Sequence, residues 1–219
     1  AVNGNPGSWR PRLSGSGVDL QVTNDKTRVL LAGWFSNVNG DTNQARFAIT
    51  DIATGAPVAG IGPWTPSVGS GTQTYQQAVA DLGDRVLIGG SQHNLQLWDR
   101  NRTTMIDSAI TKAGGDSQAI EIYDGKAYLG CHCGDWVYQG TNDFTAPTGF
   151  RSIEAINLVG AFDATTFEYD TSWYPSGLKG TKGEGVWAID RDARNCLWVG
   201  GDLSRGAYSG SEATDWLGG

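Results

Sequence analysis

The chain has 219 residues, 39% of them hydrophobic, enough to bury the core of one domain or one compact repeat array. Its net charge is −7 with no basic run, which argues against nucleic acid and anionic membrane as partners, and no apolar run reaches the roughly 20 residues of a membrane helix. Glycine (32) and tryptophan (9) are plentiful while charged residues make up 18%, a composition that points to many short strands joined by tight turns.

One phrase recurs four times along the chain: an apolar strand, a polar turn, a second apolar strand, then small residues. The copies are Gly17–Gly33, Gln76–Gly90, Ser117–Cys131 and Gly185–Gly201. The end positions Gly33, Gly90, Cys131 and Gly201 are spaced by about 57, 41 and 70 residues, compatible with propeller blades. Each copy reads as a β-hairpin, with Val, Ile, Leu, Trp and Tyr in the arms and Asp, Gly, Asn or Lys in the turn. The glycines at the strand ends suit backbones that crowd near a central axis.

After each of the first three hairpins a third strand is expected, at Ala45–Asp51, Asn94–Asp99 and within Ser152–Asp163. Each ends in an Asp that can cap the amides of the following turn, as in Asp51–Gly55. A fourth, outer strand is expected at the Trp-x-Pro segments Trp9–Pro11, Trp64–Pro66 and Trp173–Pro175, and at Thr103–Ala109 in the odd blade, because Pro is tolerated on a sheet edge. The repeats divide the chain at approximately 9–63, 64–105, 106–172 and 173–219 within one domain of residues 1–219. The chain opens on an outer-strand motif and closes where a third strand would begin. Two readings follow: the N-terminal segment completes the last blade of a closed ring, or the residues belong to a larger propeller. The start at Ala1, with no Met and no signal-peptide pattern, suits a processed secreted protein or an excised fragment.

The stretch Val29–Gly40, Arg46–Val58 and Pro63–Pro66 resembles the secreted bacterial β-propellers of the kelch-like or quinoprotein-like kind. Gly33, Phe35, Asn39, Gly40, Asp51, Thr54, Gly55, Trp64 and Pro66 carry the match. The resemblance implies an all-β propeller of about four antiparallel blade repeats and implies no particular activity, since propellers host lectins, adhesins, scaffolds and enzymes. The dipeptide typical of WD40 repeats occurs only as Trp98-Asp99, and the tryptophan-docking motifs of quinone-cofactor dehydrogenases are not evident.

In such a fold the loops between second and third strands emerge on one face. Here they begin at Trp34, Ser91, His132 and Asp202, four equivalent positions whose side chains differ. Variation on an otherwise repeated phrase suits a binding face, and it equally suits unrestrained loops. The longest of these loops, His132–Arg151, carries Cys133, Asp135, Trp136, Tyr138, Asn142, Asp143 and Phe144. Aromatic faces with nearby carboxylates and amides suit a sugar; the competing reading is a loop folded on its own aromatics.

Cys131, His132 and Cys133 admit three readings: a disulfide between the two cysteines, a metal site lacking a fourth ligand, or a Cys–His pair without an orienting partner. Cys196 should lie on the opposite face from Cys131. The acidic turns Asn37–Asn43 and Asp190–Asn195 lack the spacing of a calcium loop; calcium is the only cofactor for which any place is kept. Asp116, Glu121, Asp135, Glu184 and Asp202 could line the axis. The leading expectation is an extracellular, non-catalytic module for carbohydrate or a cell-surface ligand. The alternatives are a glycan-active hydrolase or lyase using axial carboxylates, and a protein-interaction or adhesion scaffold or piece of a larger propeller.

Overall fold

The computed structural model describes residues 7–64, 75–112, 115–180 and 185–205. Strands β1 (Ser16–Val22), β2 (Arg28–Trp34) and β3 (Phe47–Asp51) form one antiparallel sheet in that order. Then come β4 (Gln76–Asp81), β5 (Arg85–Gly90), β6 (Asn94–Asp99) and β7 (Met105–Lys112), a four-stranded meander. A third sheet uses β8 (Ser117–Tyr123) and β9 (Lys126–Cys131), followed by β10 (Trp136–Gln139), β11 (Ser152–Ala155) and β12 (Val159–Asp163). Last are β13 (Lys179–Gly180), β14 (Val186–Arg191), β15 (Leu197–Gly201) and β16 (Leu203–Arg205). The only helical element among the described residues is a single 3-10 turn at Thr42–Gln44.

All four expected hairpins form: β1–β2, β4–β5, β8–β9 and β14–β15. Their first strands pack against one another in chain order, β1 on β4, β4 on β8 and β8 on β14. Four sheets whose innermost strands are lined up this way are the blades of a β-propeller. Each inner strand carries one extra residue at the same place, so that the register slips at Val18, Gln77, Gln118 and Trp187. This bulge also explains the repeated small residue at the end of the second strand. A Cβ on Gly33 would lie 2.2 Å from the Ser16 carbonyl oxygen, and one on Gly201 would lie 2.0 Å from that of Gly185. The crowding at this position comes from the blade's own inner strand.

Between blades the packing is apolar. Leu30, Ala32, Phe47 and Ile49 of blade one meet Val79, Val86, Ile88 and Trp98 of blade two. Leu87, Leu95 and Leu97 of blade two meet Ala127, Leu129 and Phe162 of blade three. Tyr128, Val159 and Ala161 of blade three meet Val186 and Ile189 of blade four.

Three expectations are corrected. The stretch Ser152–Asp163 is two strands, because Leu158 takes a left-handed backbone (φ 64°) and breaks it. Only β12 is the third strand of blade three. The long loop His132–Arg151 is no free loop: β10 adds to the outer strand β7 of blade two and β11 adds to β10, giving a six-stranded sheet. Val137 and Gln139 point into the core, and Gln139 is satisfied there by Phe167 O, Ser152 Oγ and Tyr169 N.

The Trp-x-Pro segments form no outer strand among the described residues, and Pro66 lies outside them. Their tryptophans act as wedges instead. Trp64 packs at the blade one–two boundary and Trp173 at the blade three–four boundary. Trp9 lies on blade one, where its indole donates to Thr50 Oγ1 (3.2 Å). Only Thr103–Ala109 falls on an outer strand, β7, as expected. The described N-terminal segment adds no strand to blade four. Among the described residues blades one and four share no sheet, and Leu20 and Trp198 on their outward sides are exposed, so the described blades form an open arc.

Candidate functional site

The second strands end at one edge of the arc, and each hands over to Trp34, Ser91, His132 or Asp202. The backbone fixes these positions alike: Ser91 N donates to Tyr75 O (3.1 Å), His132 N to Asp116 O (2.8 Å) and Asp202 N to Gly185 O (3.0 Å). The residue just before each inner strand therefore joins the end face. In blades two and three that residue is Tyr75 and Asp116.

Trp34 stacks on Tyr75 with ring centroids 5.6 Å apart and planes 6° from parallel, and Trp34 remains 55% exposed. Ser91 Oγ donates to Tyr75 O (3.0 Å) beneath this pair. Asp116 is the polar hub. The bulge residue Gln77 donates to Asp116 Oδ2 (3.0 Å), and His93 Nε2 lies 3.7 Å from Asp116 Oδ1. Burial pushes the His93 imidazole below its ordinary value, against the opposing pull of Asp116. Burial, helped by the Asp116 charge, raises the Tyr75 phenol. Phe144 meets His93 edge-on at 4.4 Å, and Lys112 lies 5.7 Å over the Phe144 ring. The result is a strip: the exposed Trp34 stacked on the half-buried Tyr75, a carboxylate with amide and imidazole neighbours, then a further aromatic ring.

The other sequence-derived candidates scatter. Trp136, on β10, is 43% exposed and pairs with Lys112 of β7, two strands farther out than His93 at the start of β6. Tyr138 faces Ile153 and meets Phe150 edge-on at 5.3 Å, within a separate patch on the arm. Asp135 is exposed, and its carbonyl accepts from Ile156 N. Asp202 lies on blade four and accepts from the Trp187 indole (3.1 Å). Sequence reasoning missed Tyr75, Gln77 and His93. Aligning the four repeats on the bulge would have shown Gln77 and Tyr75.

The expected axial carboxylates do not share one place. Glu121 is raised by burial and by Asp190, with Arg191 opposing, at the blade three–four boundary. Glu184 lies outside the described residues. Cys131 and Cys133 lie at bonding distance with Cα atoms 5.2 Å apart, the spacing of a disulfide, and Cys196 is free. The two acidic turns use their carboxylates internally. Asp41 accepts from Asn43 N, while Asp192 accepts from Arg194 N and Cys196 N. Among the described residues no three His, Cys, Asp or Glu side chains gather as a metal site, and no helix is long and apolar enough to cross a membrane.

No family model matches the chain, and no curated protein matches it. Among solved structures it is similar to the computationally designed Ika8 protein, at 16% identity and TM-score 0.38, over 84% of this chain and 54% of that one. BamB from Moraxella catarrhalis gives 16% identity and TM-score 0.38, over 84% of this chain and 61% of that one. The designed Ika4 protein gives 15% identity and TM-score 0.34, over 51% of this chain and 57% of that one. The chain spans 54–61% of the length of these three structures.

Proposed function

We propose that the chain is an extracellular, non-catalytic binding module for carbohydrate, with its site on the end face of blades one to three. The observation that carries this reading is the exposed face of Trp34, stacked on the half-buried Tyr75, beside an Asp116 carboxylate held by the buried Gln77 amide. An exposed aromatic plane covers the C–H face of a pyranose, while a neighbouring carboxylate and amide hold its hydroxyls.

A glycan-array screen of the folded chain, followed by titration of tryptophan fluorescence, tests it. Saturable binding is expected, weakened about tenfold or more in Trp34→Ala and in Asp116→Asn. Trp136→Ala, at the rim, is expected to change affinity little. A folded chain that binds no glycan would overturn the proposal.

A second reading, a protein-binding or adhesion scaffold, is favoured by the arm. Trp136, Phe150 and Ile153 are exposed there at 43%, 39% and 39%, an apolar surface at the outer edge of blade two. Loss of adhesion or partner capture on Phe150→Ser, with glycan binding absent, would select this reading.

A further inference from the structure

The blade repeat makes both ends of the arc interpretable position by position. Leu20, Val79, Ile120 and Ile189 occupy the same place on their inner strands, two residues past the bulge. In blades two, three and four this side chain presses on the preceding blade. In blade one, Leu20 is 58% exposed and its neighbours Val18 and Val22 are 54% and 45% exposed. Trp9 already sits on this face, placed as Trp64 and Trp173 are placed at boundaries that are filled. A cleft of about 610 Å³ lies open between Trp9, Val18, Leu20 and Leu31.

The opposite end carries the matching half. Gly89 and Gly130 are equivalent, and each is covered by the next blade: a Cβ there would lie 2.8 Å from Ser117 Cβ or 2.5 Å from Val186 Cγ1. Their equivalent in blade four is Gly200, where a Cβ would meet nothing within 4 Å among the described residues. Leu30, Leu87 and Tyr128 are buried against the next blade, whereas their equivalent Trp198 is 48% exposed. Blade one thus presents an unused knob, and blade four an unused glycine socket with a bare indole beside it.

We infer that these two faces bind each other between two copies of this chain, blade four of one copy against blade one of the other. The contact continues, with the same positions, the interface that the chain forms three times within itself. It is head-to-tail, so two copies joined by two identical contacts close a ring of eight blades and leave no bare face.

Light scattering coupled to size exclusion on the full chain tests this directly. A dimer, twice the 23.3 kDa chain mass, is expected. Gly200→Leu fills space that is empty in the single arc and so leaves the fold intact. Both it and Leu20→Asp are expected to raise the dimer dissociation constant at least about 30-fold, with unchanged far-ultraviolet circular dichroism. A wild-type chain that stays monomeric at the highest attainable concentration overturns the inference. So does a dimer that survives both substitutions, and so does an open-ended series of larger oligomers.

Discussion

Among the described residues Arg102 is the largest side chain wholly withdrawn from solvent. It rises from the turn between β6 and β7, crosses to blade one, and donates to the carbonyls of Phe47 (2.7 Å), Gly62 (3.1 Å) and Asn43. Its guanidinium carbon also lies 5.3 Å from the Phe47 ring centroid and 5.9 Å from that of Trp64. Burial lowers its pKa to about 10, with Asp41 opposing, so the group stays charged at neutral pH. Three carbonyl oxygens, from the turn into β3 and from Gly62, satisfy a planar fork of donors that Lys could not reproduce. Arg102→Met would leave these acceptors buried without partners. We expect a loss of about 3 kcal/mol or more, and a Tm lower by roughly 6–12 °C by calorimetry. Arg102→Lys is expected to recover less than half of it.

The turn aspartates act at the same scale. Asp51 accepts from Thr54 Oγ1 (2.8 Å), Thr54 N (2.9 Å) and Ala53 N (3.1 Å), and Asp163 accepts from Thr166 N (2.7 Å) and Thr165 N (2.8 Å). The Thr54 hydroxyl holds the Asp51 carboxyl below the usual carboxylate range, and the Thr166 amide does the same for Asp163. A depressed folded pKa gives stability that is fully present above the unfolded value of about 4 and is lost as pH falls below it. The Asp51→Asn, Asp163→Asn double variant keeps the acceptors but not the proton linkage. Its acid unfolding curve, followed by circular dichroism, should therefore fall less steeply below pH 4 than that of the wild type.

At the scale of elements, the arm of β10 and β11 is the departure from a plain blade repeat. Val137 enters the blade two–three core, Gln139 bonds to blade-three backbone, and Arg151 pairs with Asp107 and Glu168 (2.9 Å each). The insertion from blade three thereby clamps blade two from outside. Gln139→Leu keeps the volume but orphans Phe167 O and Tyr169 N, so a loss of about 2–4 kcal/mol is expected by denaturant unfolding. An unchanged midpoint would mean that the arm is not coupled to the core.

The hairpins were legible because each is local: alternating apolar residues flank a turn such as Gly83 or Asp124-Gly125, both with positive φ. The arm was not. Trp136–Gln139 alternates as a strand should, but its partner β7 lies on the preceding blade, and no spacing rule announces that pairing. The same limit divides the candidate site. Trp34, Ser91 and His132 were found from the repeat, whereas Tyr75, Gln77 and His93 reach the end face through the bulge and the strand entries. Trp136 and Tyr138 were placed with the loop and belong to the arm.

At the scale of the whole molecule, burial falls from the middle of the arc toward its ends. Every residue of β4 is buried, and so are five of six in β5 and β6. In β1 no residue is fully buried, and in β14 only Val186 and Ile189 are. Repeat arrays are stabilised by the intrinsic strength of each unit plus its contacts with neighbours, so a unit with one neighbour opens more readily than a unit with two. Native-state amide exchange should follow this order. Protection is expected to be greatest in β4, β5 and β6, and lowest in β14 and β15, whose sheet is two-stranded among the described residues and packs on blade three. Where two arcs close on each other, β1 and β14 both gain a neighbour. Their protection should then rise with protein concentration, while that of β5 and β6 stays constant. Concentration-independent exchange in β14, with exchange in β5 much slower, would establish the gradient for a solitary arc. Equal protection in all four blades would mean that the arc unfolds as one cooperative unit, and that the bare end faces cost it no local stability.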